Sequence, residues 1–177
     1  MSRKVSFWQI LFAQNVTFKK TNLYVTDINE ARLSIAKTMG ADKTINGLTD
    51  SLEDVIMSET DGAGVGKILE CSGVGTMLTG CMKYLRKGGY IGLIGLPKED
   101  IVFKDPIWGF VFKSLTMKTV HGRRIFHTWE ACEKLIADGL CHPEKCVTDE
   151  FGLSSFQDAF HKLFSGEACK IVVNLEK

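Results

Sequence analysis

Residues 23–41, LYVTDINEARLSIAKTMGA, decide the fold of this chain. A short apolar run rich in strand-forming residues, Leu23–Thr26, ends in Asp27, and a helical pattern follows over Asn29–Met39. Gly40 then stands where a glycine commonly ends a helix. The stretch therefore predicts a strand, an acidic residue at its carboxyl end, and a helix.

The alternation of strands and helices continues along the chain. The run Tyr90–Leu96 shows no polar alternation, which is typical of a strand covered on both faces. Parallel strands joined by helices form an α/β fold, so we expect a Rossmann-like, doubly wound parallel sheet. Further strands are predicted at 43–45, 67–71, 115–120 and 170–175, and further helices at 48–59, 76–85, 124–137 and 153–164.

Composition narrows the class of partner. The 177 residues carry a formal net charge of +1, so no basic excess is available to bind a nucleic acid or an acidic membrane surface. No apolar run reaches the length of a membrane span. The six cysteines form no C-x-x-C pair, and we interpret them as reduced thiols of a cytoplasmic protein or, alternatively, of a mitochondrial matrix protein.

The first twenty residues contain four basic residues and no acidic one. Their apolar residues Val5, Trp8, Phe12 and Val16 recur at helical spacing, which favours a surface helix. A mitochondrial presequence and a secretory signal with Phe7–Ala13 as its apolar core are the alternatives.

Asp27 is the first candidate for a functional residue. A carboxylate at the end of a strand and before a helix can accept hydrogen bonds from both hydroxyls of an adenosine ribose, and its charge would repel the 2′-phosphate of NADP. The competing structural interpretation is that Asp27 caps the following helix, because aspartate is a preferred capping residue. The sequence pattern by itself leaves both open.

Two later turns follow predicted strands. Glu70–Gly73 follows one strand and Gly92–Pro97 closes another, and ligands of open α/β sheets bind beyond the carboxyl ends of strands. Glycine at such a turn lets a flat ring approach the backbone closely. Plain strand-to-helix turns are the structural alternative.

The order of these segments resembles the zinc-type medium-chain alcohol dehydrogenase family, and the resemblance is greatest to its L-threonine 3-dehydrogenase branch. It covers about residues 23–175. The segments that carry it are Val25-Thr26-Asp27 with Arg32, Ala36-Lys37, Met39-Gly40-Ala41, Glu70-Cys71-Ser72-Gly73, Gly88-Gly89, Leu93–Pro97, Val120–Trp129, Phe156–Phe160, Ser165-Gly166 and Lys170-Ile171-Val172.

The resemblance implies an NAD-dependent oxidoreductase that transfers a hydride from a secondary alcohol to NAD. In the family a zinc ion binds the alkoxide, and in the threonine branch the substrate is L-threonine. Asp27 would hold the adenosine ribose and Arg32 would lie along the adenine. The other implied cofactor-binding residues are Cys71, Ser72 and Gly73, then Ile94, Gly95 and Leu96 on the nicotinamide side, and Val120 and His121 near the carboxamide.

Some parts of the family pattern have no counterpart. The zinc ligands do not match any residue here, and Cys141-His142 with Cys146 is a weak alternative cluster. No glycine precedes Asp27, so the phosphate loop G-x-G-x-x-G is missing, and Gly62–Gly66 stands before a predicted strand instead of after one. We therefore expect NAD binding to be weak or lost, and we keep a non-catalytic structural or interaction module derived from such a dehydrogenase as the alternative.

The missing loop also affects the predicted architecture. The resemblance implies a partial NAD-binding domain at 1–145 and a C-terminal segment of a catalytic domain at 146–177. Ile10–Thr21 looks like a degenerate first helix, so either Val5–Ile10 forms a poor central strand or the sheet has a gap. We expect a homo-oligomer, or a partner that completes the sheet, and Lys113 and Lys118 flank the predicted edge strand.

Overall fold

The computed structural model describes residues 22–176. The interpretations of the first twenty residues, including a strand at Val5–Ile10 and a helix at Ile10–Thr21, lie outside the described residues. Contacts between residues divide the chain into two compact units. The described part of the first unit comprises 22–49 and 124–176, and the second comprises 50–123.

The first unit begins with the predicted strand, acid and helix. Strand β1 (Tyr24–Asp27) pairs in parallel with β2 (Lys43–Asn46), and helix α1 (Glu30–Thr38) connects them. Asn29 caps α1, because its side-chain oxygen accepts a hydrogen bond from an amide of the first turn. Gly40 follows the helix with φ of 98°, a conformation that favours glycine. The prediction for this stretch is confirmed.

The second part of the first unit contains an element that the sequence did not predict. Strand β6 (Val147–Gly152) has only two apolar side chains beyond its glycine, Val147 and Phe151, so it gives no periodic signal. It pairs in parallel with β7 (Lys170–Asn174), and a helix connects the two. The elements here are α4 (His127–Ala137), a 3-10 turn (Pro143–Cys146), β6 (Val147–Gly152), a 3-10 turn (Leu153–Ser155), α5 (Phe156–Ser165) and β7 (Lys170–Asn174).

The second unit is a three-stranded parallel sheet with two helices. The strands lie in the order β3 (Val65–Glu70), β4 (Leu85–Leu93) and β5 (Thr116–Thr119). Leu78, Leu85 and Ile91 are the most deeply buried side chains of this unit. The glycine-rich turn precedes β3 as predicted, but β3 begins at Val65 instead of Lys67 and ends at Glu70 instead of Cys71, so Gly66 lies in the strand. The elements are α2 (Leu52–Glu59), β3 (Val65–Glu70), α3 (Gly75–Tyr84), β4 (Leu85–Leu93), a π-helical turn (Ile107–Val111) and β5 (Thr116–Thr119).

Strand β4 differs from its prediction at both ends. It begins at Leu85, where a helix stop was expected, because Leu85 pairs with Val65 before the register shifts. Pairing resumes at Tyr90, and the residues between include Gly88 with φ of 68°. The strand ends at Leu93 instead of Leu96, because the amides of Ile94 and Gly95 both donate to the carbonyl of Glu70, the last residue of β3.

Three helices begin later than predicted. Helix α2 begins at Leu52, since the Ser51 side chain accepts a hydrogen bond from an amide of the first turn. Helix α4 begins at His127, because Phe126 has φ of 54° and lies outside the right-handed helical region. The predicted helix 153–164 begins with a 3-10 turn, and its α-helical part runs to Ser165.

All strand pairs in the described residues are parallel, which confirms the predicted α/β class with parallel strands. Within 22–176, β1 pairs with β2 alone, β3 pairs with β4 alone, and β5 pairs with β4 alone. None of the helices in that range is both long and apolar enough to cross a lipid bilayer.

Candidate functional site

Asp27 ends β1, and only 4% of its side chain is exposed. Its Oδ1 accepts hydrogen bonds from the backbone amides of Ile28 at 2.7 Å and Asn29 at 3.0 Å. Its Oδ2 lies 3.5 Å from Nη1 of Arg32, which is also buried. A carboxylate offers about four acceptor positions, and the three partners named here occupy three of them.

The predicted alternative role of Asp27 as a helix cap is wrong, because Asn29 caps α1. The side chain of Asn29 makes two hydrogen bonds. Its Oδ1 accepts from the amide of Arg32 at 3.2 Å, and its Nδ2 donates to the carbonyl of Gly166 at 3.0 Å. Asp27 therefore binds the amides of the turn after β1, whereas Asn29 caps the helix.

In the second unit, the remaining eight predicted residues come together at one edge of the sheet. They directly follow three neighbouring parallel strands, β3, β4 and β5, whose carboxyl ends lie at the same edge. The eight are Cys71, Ser72 and Gly73 after β3, Ile94, Gly95 and Leu96 after β4, and Val120 and His121 after β5.

Glu70 organises the first two of these turns. Its buried carboxylate accepts hydrogen bonds from the amide of Ser72 at 2.8 Å, from the Ser72 hydroxyl, and from the amide of Gly73 at 3.1 Å. Its backbone carbonyl accepts from the amides of Ile94 at 2.8 Å and Gly95 at 2.9 Å. One residue at the end of β3 thus fixes both turns.

The turns approach each other so closely that only glycine fits. A β-carbon on Gly73 would lie 2.5 Å from the carbonyl oxygen of Leu96, and Gly73 has φ of 67°. The last of the three turns is joined to β4, since the amide of Val120 donates to the carbonyl of Leu93 at 2.9 Å. Leu96 and His121 are exposed, so the outer surface of this edge presents backbone and side chains to solvent.

Cys71 is not an activated thiol. Burial, and to a smaller extent the Glu70 carboxylate, raise its pKa to about 12. Its Sγ donates to the carbonyl of Leu69 at 3.2 Å. A nucleophilic cysteine needs a lowered pKa, so Cys71 contributes shape and a polarisable surface to this edge and no reactive thiolate.

The cluster Cys141-His142-Cys146 does not converge on a common point. Cys146 is buried against Met39, with its Sγ 3.3 Å from the sulfur of that residue. His142 is exposed, and its Nδ1 lies 3.1 Å from Glu144. Throughout the described range 22–176, no three His, Cys, Asp or Glu side chains are arranged to hold a metal ion.

Sequence reasoning missed two residues that shape these sites. Glu70 was identified only as part of a motif, although a buried acid at the end of a strand signals a hydrogen-bonding role in the following turn. Asn29 was assigned to the predicted helix and not to its cap. A sequence signal for it existed, since asparagine just before a helical pattern is a preferred cap.

Comparison with known proteins identifies relatives of this chain. A family model described as zinc-binding dehydrogenase matches residues 10–138. L-Threonine 3-dehydrogenase from Deinococcus deserti is 36% identical over 160 residues, which cover 88% of this chain and 45% of that protein. The enzyme of the same name from Pseudoalteromonas translucida is 32% identical, over 86% of this chain and 44% of that protein. The chain thus spans about half the length of the curated relatives it matches, in their C-terminal half.

Solved structures share the fold. An alcohol dehydrogenase from Thermotoga maritima has a TM-score of 0.79 at 26% identity, over 93% of this chain and 45% of that chain. A short chain alcohol dehydrogenase from E. coli CFT073, determined with NADH, has a TM-score of 0.81 at 22% identity, over 94% of this chain and 48% of that chain. These similarities confirm the predicted fold class.

Proposed function

Because the chain belongs to the zinc-binding dehydrogenase family, we propose that it supplies the cofactor-binding part of an NAD-dependent alcohol dehydrogenase. The proposed reaction is hydride transfer from a secondary alcohol to NAD, with L-threonine as the proposed substrate. The substrate proposal rests on the similarity to L-threonine 3-dehydrogenases, which are 32–36% identical to this chain.

The observation that carries the proposal is the edge of the second unit. Eight residues expected near the cofactor follow three adjacent parallel strands, and Gly73 and Gly95 let the turns after β3 and β4 pack backbone against backbone. A nicotinamide ring is flat and binds well against such backbone. Glu70 keeps the turns in place before any ligand arrives, which reduces the entropy cost of binding.

In the first unit, Asp27 and Arg32 support binding of an adenosine ribose. Asp27 ends a parallel strand, and Oδ2 can accept a hydrogen bond from a ribose hydroxyl. Its negative charge disfavours the 2′-phosphate of NADP. We therefore propose NAD as the preferred cofactor, with an affinity lower than that of a site that also has a glycine-rich phosphate loop.

Zinc does not fit the donors in the described residues. In the cluster Cys141-His142-Cys146, the Cys146 thiol is buried against Met39 and the His142 imidazole is paired with Glu144. A catalytic zinc requires three positioned protein ligands and an open coordination position. No step of the proposal is therefore assigned to a metal held by residues 22–176.

Calorimetric titration with NADH and NADPH tests the proposal. We expect NADH to bind weakly, with a dissociation constant between the micromolar and the millimolar range, and NADPH to bind more weakly still. Asp27→Asn should weaken NADH about tenfold, since hydrogen bonds to charged groups contribute about 1.5–3 kcal/mol, and should reduce the preference over NADPH. Asp61→Asn, an exposed change on a turn, is the matched control and should bind as the wild type does.

One observation favours a second candidate, a non-catalytic structural or interaction module. The Asp27 carboxylate is almost fully buried and already has three partners. The partner of such a module would be a second copy of this chain or another chain. Absence of NADH binding at millimolar concentration would favour this candidate over the first.

We also propose a reducing compartment, the cytoplasm. All six cysteines are unpaired thiols, and burial raises the pKa of five of them, which slows their oxidation. Mass measurement after alkylation of the unfolded protein in denaturant, without reductant, tests this: six alkylated thiols are expected, and fewer would contradict it.

A further inference from the structure

Asn29 joins two segments that are 137 residues apart in the sequence. Its Nδ2 donates to the carbonyl of Gly166 at 3.0 Å, while its Oδ1 caps α1. Its backbone amide donates to Oδ1 of Asp27 at 3.0 Å. The position of the Asp27 carboxylate is therefore linked through one residue to the C-terminal segment.

Gly166 is suited to this contact by its place in the chain. It is the residue that ends α5, it is buried, and its φ of 84° turns the chain away from the helix axis. Carbonyls at the C-terminal end of a helix lack helical partners and carry partial negative charge. The amide donor of Asn29 satisfies one such carbonyl.

A shared core makes the link rigid. Val25 of β1 and Ala36 of α1 are buried in one cluster with Cys146, which lies directly before β6. Cys169, which directly precedes β7, packs against the same cluster. Cys169 also lies within the electrostatic influence of Asp27 and Arg32, whose charges act on its pKa in opposite directions. The α5–β7 segment and the β1–α1 turn therefore belong to one packed structure.

We propose that Asn29 is a positioning residue for the adenosine ribose, and that the α5–β7 segment forms part of this subsite by holding Asn29 through Gly166. The inference rests on the proposed binding of NAD. The C-terminal segment is then needed for cofactor binding and does not serve only as a connection to another domain. Asn29 itself does not have to touch the ligand, since it acts through the Asp27 carboxylate.

Two variants separate the contact to Gly166 from the cap. Asn29→Ser keeps a capping oxygen but cannot reach the Gly166 carbonyl, whereas Asn29→Ala loses both contacts. Both should weaken binding of ADP-ribose by a similar factor, about three- to tenfold. Binding of nicotinamide mononucleotide should stay as in the wild type. Asn29→Ala should melt about 2–4 °C below Asn29→Ser, because only the former loses the cap.

Each outcome decides the inference. Unchanged ADP-ribose affinity in Asn29→Ser overturns it, as does an equal loss for ADP-ribose and nicotinamide mononucleotide, which would indicate general loosening of the structure. A wild-type chain that binds neither ligand overturns the proposed function, and with it this role of Asn29. Selective loss for ADP-ribose in both variants, with a melting difference between them, supports it.

Discussion

Gly95 and Gly73 lie so close that a β-carbon on Gly95 would be 2.2 Å from the backbone nitrogen of Gly73. The same β-carbon would be 2.7 Å from Oε2 of Glu70. Side chains essentially never approach backbone at such distances, because the repulsion is steep. The turns after β3 and β4 are therefore interlocked, and the absence of a side chain at Gly95 is a condition for this edge of the sheet.

Gly95→Ala should accordingly destabilise the protein. The nearest atoms are the backbone of Gly73 and a Glu70 carboxylate oxygen that is held by hydrogen bonds, so they cannot move aside, and we expect the free energy of unfolding to fall by about 1–3 kcal/mol. Urea denaturation followed by circular dichroism measures the change. Gly80→Ala is the matched control, since Gly80 is inside α3 and a β-carbon there meets nothing within 4 Å. It should raise stability by about 0.5–1 kcal/mol, and a similar loss in both variants would contradict the interpretation.

Glu70→Gln should loosen both turns. The amide group of glutamine would face the amide of Gly73, a donor against a donor, where the carboxylate now accepts at 3.1 Å. Leaving a buried donor unsatisfied costs about 1–3 kcal/mol, to be measured as a shift of the urea midpoint. Glu99→Gln, at an exposed position, should change the midpoint little. Equal midpoints for Glu70→Gln and the wild type would show that Glu70 does not organise this edge.

Stability should fall in alkaline solution because of buried thiols. Burial is the main cause that raises the pKa of Cys81 from 9.0 to about 11, and Cys71 is raised to about 12. Below pH 9 the folded and unfolded states both hold these protons. Between pH 9 and about 11 the unfolded chain releases them and the folded chain does not, so folding becomes less favourable as the pH rises.

Unfolding midpoints in urea at pH 7 and pH 10 test this. Cys81→Ser removes one titrating thiol and keeps a donor for the carbonyl of Met77, to which Cys81 now donates. Its loss of stability between the two pH values should be smaller than that of the wild type. An identical or larger loss would mean that Cys81 does not ionise in the unfolded chain with the pKa assumed.

Lys113 should stabilise the end of α3. Its ammonium group donates to the carbonyl of Met82 and, at 3.0 Å, to the carbonyl of Leu85. A cation at the C-terminal end of a helix satisfies unpaired carbonyls and the helix dipole. Lys113→Met should reduce stability by about 1–3 kcal/mol, seen as a lower melting temperature. Lys118→Met changes an exposed lysine of β5 and should leave the melting temperature within a degree or two.

The sequence alone determined the α/β class, because apolar periodicity and the residues that end strands and helices are local signals. The apolar run before Asp27, the helical spacing after it and Gly40 were sufficient for the first strand–helix unit. The resemblance also gave the correct family. Strand β6 stayed hidden, since an exposed strand has no apolar pattern, and β4 was misplaced because its register shift depends on pairing with Val65.

Only the tertiary structure decided how the predicted residues are held. That Glu70 serves two turns, that Gly95 excludes any side chain, and that Asn29 reaches Gly166 all depend on contacts between segments distant in the sequence. Such contacts leave no periodic trace, because each involves one residue of a type that occurs in many turns. The chain's local pattern fixes which elements form, and packing between elements fixes which of their polar groups meet.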